Sequence, residues 1–289
     1  AENYPAMLQH RFTFREFRPH NLLVRNPLLA RYVEKYMATH ADGILAVVEE
    51  SRQRLIGVGA RPDRIDVVCN TPLPRRAEEM ARIAESVRNE PGPVRLIYLG
   101  LLGESRGLIT LIRGMRLLKD AGHDVACDII GRDERGAVAA EVRRQALEDS
   151  VTLHGHLPYE DALKIVARAQ IGVVPHHATE HWSTTIPNKL FDYMAAGIPV
   201  LVSDAPPTKR IVEENGCGAV FADRDPADLA AQVVPMLDPE VRRKLGMAGK
   251  AAVKSKYNWD EDGRQLLASI EKAVRGPAAS AHARMAVEV

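Results

Sequence analysis

A chain of 289 residues, 46% hydrophobic and 27% charged, is long enough to bury a core in one large or two modest globular domains. Its formal charge of +1 gives no global reason to expect a nucleic-acid partner. Cys69, Cys127 and Cys217 are odd in number and far apart, so they suggest neither a disulfide framework nor a thiolate metal site, and a reducing compartment fits best. The sequence has no apolar run of roughly 18 residues and no basic-then-apolar start of the secretion type, so a cytoplasmic location is expected.

In chain order, the first distinctive stretch is residues 11–36. It carries Arg11, Arg15, Arg18, Arg25, Arg31 and Lys35 against Glu16 and Glu34, interleaved with Phe12, Phe14, Phe17, Leu22, Leu23 and Tyr32. Two readings stay open: a solvated helix face with a loop, or a peripheral contact with an anionic membrane surface or lipid diphosphate at the inner face. HADGILAVVEESRQRLIGVG then reads as strand and helix, and RIDVVCN as one more strand. Two strands do not make a sheet domain. Residues 1–72 therefore read as the trailing part of a first, Rossmann-like domain whose front is missing, which the opening AENYPAM without an initiating Met also suggests. Residues 73–93, with Pro74, Pro91 and Pro93 near their ends, read as a linker carrying one polar helix.

From Val94 onward, short β-branched runs alternate with amphipathic helical stretches. The strands are VRLIYLG, VACDIIG, VTLHG, IGVVP, PVLVSD and GAVFA. Runs without polar alternation imply burial on both faces, which a parallel sheet covered by helices provides. The expected fold class is α/β, with a doubly wound C-terminal Rossmann-like domain over residues 94–276, its last helix included, and a disordered tail over 277–289.

Ligands of such sheets bind outside the carboxyl ends of the strands. Gly100 to Gly107, GLLGESRG, follows the first strand of this domain, with glycines for close backbone approach and Arg106 as a permanent cation; an ordinary βα turn is the alternative. The longer loop HHATEHWSTTIPNKLFDYMAAG leads into a helix. Thr184, Thr185, Pro187 and Asn188 are helix-start residues, so the first turn is expected to offer N–H groups to an anion. Lys189 and Asp192 are three apart and share a helix face, suited to a diphosphate and a ribose diol or, in the plain reading, to a surface ion pair. His154, His156, His176, His177 and His181 raise a metal site as a competitor, but without a recognisable ligand pattern. Asp223 and Asp225 resemble an acid pair for a metal diphosphate, yet Asp225 before Pro226 reads better as a helix cap. No G-x-x-x-x-G-K loop is present, so the NTPase reading lacks its motif.

The blocks YLGLLGESRGLITLI, DIIG, VTLHGHLPYEDALKIVARAQIGVVP, PNKLFDYMAAGIPVLVSD and NWDEDGRQLLASIEKAV, in this order and spacing, resemble the group 1 glycosyltransferases, also called family 4, which have the GT-B fold. The segments ENYPAML and THADGILAVVEESRQRLIGVGARPDRIDVVCNTP look like the middle and end of that family's acceptor domain. The resemblance implies transfer of a sugar from a nucleotide diphosphate, UDP-, GDP- or ADP-linked, to a sugar or lipid-linked acceptor hydroxyl, with retained configuration and without metal or other cofactor. Carried over by position, Arg106 and Lys189 would neutralise the departing diphosphate, each clamp worth about 3 to 4 kcal/mol in the transition state. Gly100 and Gly107 would admit the backbone, Asp192 would take the ribose hydroxyls, residues around His156 would flank the base, and Glu180 to Thr185 would face the sugar, with Asn188 beside them at the helix start. Thr184 and Asp192 stand where the family often has two glutamates, and Leu101 and Leu102 where it has an arginine. Polysaccharide or glycolipid synthesis is the expected setting. A sugar-nucleotide epimerase and a non-catalytic nucleotide-sugar-binding module are the alternatives.

Overall fold

The computed structural model describes Asn3, Pro5, Ala6 and residues 26–87 and 92–285. Residues 11–25 of the basic stretch, and with them most of the expected membrane contact, lie outside the described residues. The chain divides into two compact units: residues 1–70, 180–186 and 259–289 form the first, and residues 71–179 and 187–258 the second.

In the first unit, helix α1 (Pro27–His40) starts where the Asn26 side chain accepts from the N–H groups of Leu28 and Leu29 and Pro27 presets the first turn. Strand β1 (Ile44–Ala46), helix α2 (Glu49–Val58) and strand β2 (Ile65–Val67) follow, as the strand, helix and strand of the sequence pattern require. The strands pair in parallel, Ile44 opposite Ile65 and Ala46 opposite Val67. Their small core gathers Ala38, Ala46, Leu55, Ala60 and Ile65. The half-buried guanidinium of Arg54 holds both carboxylate oxygens of Glu34, at 2.9 and 2.6 Å. On α1, Leu28, Tyr32, Val33, Tyr36 and Met37 remain exposed.

The second unit carries one six-stranded parallel sheet. It comprises helix α3 (Pro74–Val87), β3 (Val94–Leu99), α4 (Leu108–Asp120), β4 (Val125–Ile130), α5 (Ala137–Arg144), β5 (Val151–Gly155), α6 (Tyr159–Arg168), β6 (Ile171–Val174), α7 (Lys189–Ala195), β7 (Val200–Ser203), α8 (Pro206–Asn215), β8 (Gly218–Phe221), α9 (Pro226–Val233) and α10 (Pro239–Ser255). The strands lie in the order β5-β4-β3-β6-β7-β8, the doubly wound arrangement, with its topological switch between β3 and β6. Every residue of β4, β6 and β7 is buried, which accounts for their unbroken apolar runs. Helices α4 and α9 pack together, and Leu111, Ile112, Met115, Leu229 and Val233 pack with Leu96, Ile129 and Val173 in one core.

Three features differ from the sequence reading. Helix α3, expected as a linker, packs on α6 and α7 of its own unit, because its polar sequence still has a strongly amphipathic pattern. The last helix, α11 (Trp259–Met285), groups with the first unit instead of the sheet domain. There Asp262 Oδ1 accepts from the Cys69 N–H at 3.0 Å and Lys272 Nζ lies 3.5 Å from Asp66 Oδ2. The same helix runs through Gly276 and on to Met285, where a tail without regular structure was expected; Ala278, Ala279, Ala281 and Ala283 favour helix. No helix among the described residues is long and apolar enough to cross a membrane.

Candidate functional site

The loops leaving the carboxyl ends of β3 to β6 supply the site. Gly100 leaves β3 with φ +141°, and its N–H donates to the Ile130 carbonyl at 2.9 Å. A Cβ at this position would stand 2.8 Å from Lys189 Nζ, so glycine is what lets that lysine lie against the backbone. The following turn, Glu104 to Arg106, closes at Gly107 with φ +68°. A Cβ there would come within 1.6 Å of the Pro175 carbonyl oxygen. The turn therefore sits directly on the end of β6, and the His177 N–H donates to the Ser105 carbonyl at 3.0 Å.

This packing assembles two cations. Arg106 Nη1 and Lys189 Nζ each lie 3.4 Å from His176 Nε2. Lys189 and His176 are only 8% and 2% exposed, so the lysine is not one half of a surface pair. Its ammonium lies 3.7 Å from the centroid of the Tyr98 ring, within cation–π range. Burial, and next the Arg106 guanidinium, hold the Lys189 ammonium well below the ordinary lysine range, while Asp192 pulls it upward. Burial pushes Asp192 up to about 6, against the attraction of Arg76 on α3 and of Lys189. Tyr98 donates to the Leu101 carbonyl at 2.8 Å, and burial raises its phenol above the usual range.

The start of α7 is a correction. The N–H of Leu190 donates to Pro187 O, and those of Phe191 and Asp192 donate to Asn188 O, while the Asn188 side chain makes no cap bond. The backbone turns into the helix before Lys189, so these N–H groups are already satisfied and the local field comes from side chains. Beside the Gly100 turn, a cleft of about 540 Å³ opens at the ends of β3, β4 and β5; Gly100, Ile130, Gly131, Glu134, His156 and Leu157 are among its walls. Its surface is largely apolar.

The structure brings Gly100, Arg106, Gly107, Asn188, Lys189, Asp192 and His156 into one unit. Glu180 and Thr184 belong to the other, where Glu180 Oε1 accepts from Asn3 Nδ2 at 3.3 Å and Thr184 Oγ1 donates to the Glu180 and His181 carbonyls. The remaining histidines have separate roles. His154 Nε2 bonds Asp128 at 2.7 Å, His177 Nδ1 bonds Asp223 at 2.6 Å, and His181 packs edge-on to Trp182. Among the described residues no three His, Cys, Asp or Glu side chains cluster as a metal would need. Asp225 caps α9, accepting from the Ala227 and Asp228 N–H groups. Sequence reasoning did not name Tyr98 or Arg76, and took His176 only as one of five histidines of a competing metal site; its place immediately after the Pro175 that ends a buried strand was the available signal.

A doubly wound parallel sheet with two cations and a cleft at the carboxyl ends of its strands defines a Rossmann-like α/β domain. The chain belongs to the glycosyl transferases group 1, whose family model matches residues 93–238. It is 25% identical over 253 residues to the amylovoran biosynthesis glycosyltransferase AmsK of Erwinia amylovora, covering 86% of this chain and 61% of that protein. It is 27% identical over 177 residues to a phosphatidyl-myo-inositol mannosyltransferase of Mycobacterium leprae, covering 60% and 45%. In structure it is similar to Anabaena Alr3699/HepE, solved in complex with UDP and glucose, with TM-score 0.71, 14% identity, and coverage of 83% and 66%. The fold is thus of GT-B type, and the chain spans about three fifths of the first curated relative's length.

Proposed function

We propose that this chain is the donor-binding part of a retaining glycosyltransferase that moves a sugar from a nucleotide diphosphate to an acceptor hydroxyl in cell-surface polysaccharide or glycolipid synthesis. The observation that carries the reading is the convergence of Arg106 and Lys189 on His176 at the ends of β3 and β6, beside the cleft that includes His156. When the bond from the sugar's anomeric carbon breaks, its electron pair passes to a diphosphate oxygen. The two cations take up that charge, and the fixed turn at Gly107 lets them do so without rearrangement. The base occupies the cleft, Asp192 accepts from the ribose hydroxyls, and the main chain at Gly100 and Gly107 approaches the phosphates. No resident cofactor is required by this chemistry, and the partners are the donor and a sugar or lipid-linked acceptor. A thermal-shift screen of UDP-, GDP- and ADP-sugars tests it, because a ligand bound only by the native state raises the melting temperature. One nucleotide series should stabilise the protein, and no shift with any of the three would overturn the reading.

One observation favours a lipid-borne acceptor. The exposed face of α1 places Tyr32, Val33, Tyr36 and Met37 beside exposed Arg31 and Lys35, while its acid Glu34 is bonded to Arg54. Aromatic and apolar side chains among cations suit the surface of an anionic membrane, and the enzyme would work peripherally at the inner face. An epimerase would instead convert the nucleotide sugar with no acceptor present, which separates the two activities in one assay. A non-catalytic binding module would bind donor and never turn it over.

A further inference from the structure

We infer that His176 is a positioning residue of the diphosphate site: its imidazole Nε2 gathers the Arg106 guanidinium and the Lys189 ammonium onto one acceptor and presets their spacing before any ligand arrives. The inference rests on the donor-site reading above. An arginine side chain offers only N–H donors, so in the 3.4 Å contact with Arg106 Nη1 it is Nε2 that accepts. The same atom lies 3.4 Å from Lys189 Nζ. Two neighbouring cations oppose each other, as the Arg106 contribution to lowering Lys189 shows, and a shared acceptor offsets part of that repulsion.

The ring is held for this task. Its own carbonyl accepts from the buried Ser203 hydroxyl at the end of β7. The next residue is held on both sides, since the His177 N–H donates to Ser105 O and its Nδ1 bonds Asp223 after β8. The Tyr98 ring stands edge-on to His176 with centroids 6.5 Å apart. Three loop or strand ends thus fix the backbone that carries the imidazole, Tyr98 stands beside the ring, and an apolar ring of equal size would fill the space without a lone pair for either cation.

The test uses inorganic pyrophosphate, which has no base or sugar to compensate, and titration calorimetry on the protein and on His176→Gln and His176→Phe. The amide oxygen of glutamine is an acceptor, whereas phenylalanine keeps the ring volume alone. The expected result is pyrophosphate affinity within about threefold of the original for His176→Gln and a loss of about tenfold or more for His176→Phe, the size of one hydrogen bond to a charged group. If the Phe variant does not fold, as judged by its melting transition, His176→Leu makes the same comparison. Equal affinity in all variants, or rescue by Phe and not by Gln, would reduce His176 to space filling and overturn the inference. Absence of binding to the unaltered protein by pyrophosphate and by UDP, GDP and ADP would overturn the donor site itself, and the role of His176 with it.

Discussion

The Lys189 ammonium lies 3.7 Å from the centroid of the Tyr98 ring, buried, with Arg106 sharing its histidine neighbour. The ring face attracts the cation, while lost hydration and the guanidinium oppose it. The net effect is an ammonium poised to gain from an arriving anion.

Replacing that residue should therefore be selective. Lys189→Ala is expected to weaken nucleoside diphosphate binding by about 10- to 100-fold, the range for a hydrogen bond between charged groups, and to leave nucleoside binding nearly unchanged. Calorimetry with both ligands checks this, and equal losses for the two would refute the diphosphate role.

Binding should also take up protons. Lys189 is held below its ordinary range in the free protein, and a bound dianion raises it. Affinity is then constant below the free-state pKa and falls as pH rises from that value toward the bound-state pKa. Calorimetry in buffers of different ionisation enthalpy should give net proton uptake on the alkaline side, absent in Lys189→Ala. Uptake identical in both proteins would assign it elsewhere.

Asp192 has the opposite sign in stability. Its folded pKa, about 6, stands above the ordinary 3.8, so ionisation costs stability. The penalty is absent below about 3.8, grows between the two values and is complete above 6. Asp192→Asn should accordingly be more stable than the parent at pH 7.5, with the difference shrinking toward pH 4. Chemical denaturation across that range measures it, and parallel curves would contradict the buried carboxylate. The same variant should bind nucleotide more weakly through the ribose.

At Gly107, alanine must enter a left-handed conformation and meet the Pro175 carbonyl. Gly107→Ala should cost at least about 1 to 3 kcal/mol of stability and weaken diphosphate binding with it. An unchanged denaturation midpoint would show that the turn adapts.

On α1, placing acidic side chains on the exposed apolar face offers a separate check. The protein should float with phosphatidylglycerol vesicles more than with phosphatidylcholine vesicles, and the double change Tyr36→Glu, Met37→Glu should abolish the difference. Equal flotation on both lipids would remove the membrane reading.

Much of the fold was legible because the sheet is buried on both faces. Runs such as VACDII and IGVV admit few other environments, and their six strands appear where the pattern puts them. Helix α10 escaped notice because Gly246 and Gly249 interrupt its propensity; both face close neighbours, Gly197 O and Met194. Arg106 and Lys189 were legible as residues, but not as a pair. Their meeting depends on how the Gly107 turn lands on Pro175, a contact between segments about 70 positions apart that no local period encodes. For the same reason His176 read as one of five histidines, since its importance comes from neighbours brought by other strands.

The first unit is drawn from three separate stretches of sequence, one of them the seven residues 180–186 between β6 and α7. Neither unit can be excised as a single continuous fragment. A sheet-domain expression clone that simply starts at Thr71 and stops at Asn258 would carry a foreign heptapeptide, and one that also loses it would need a designed bridge from Thr179 to Pro187. Shuffling donor specificity between homologous enzymes would face the same obstacle, with four junctions to match.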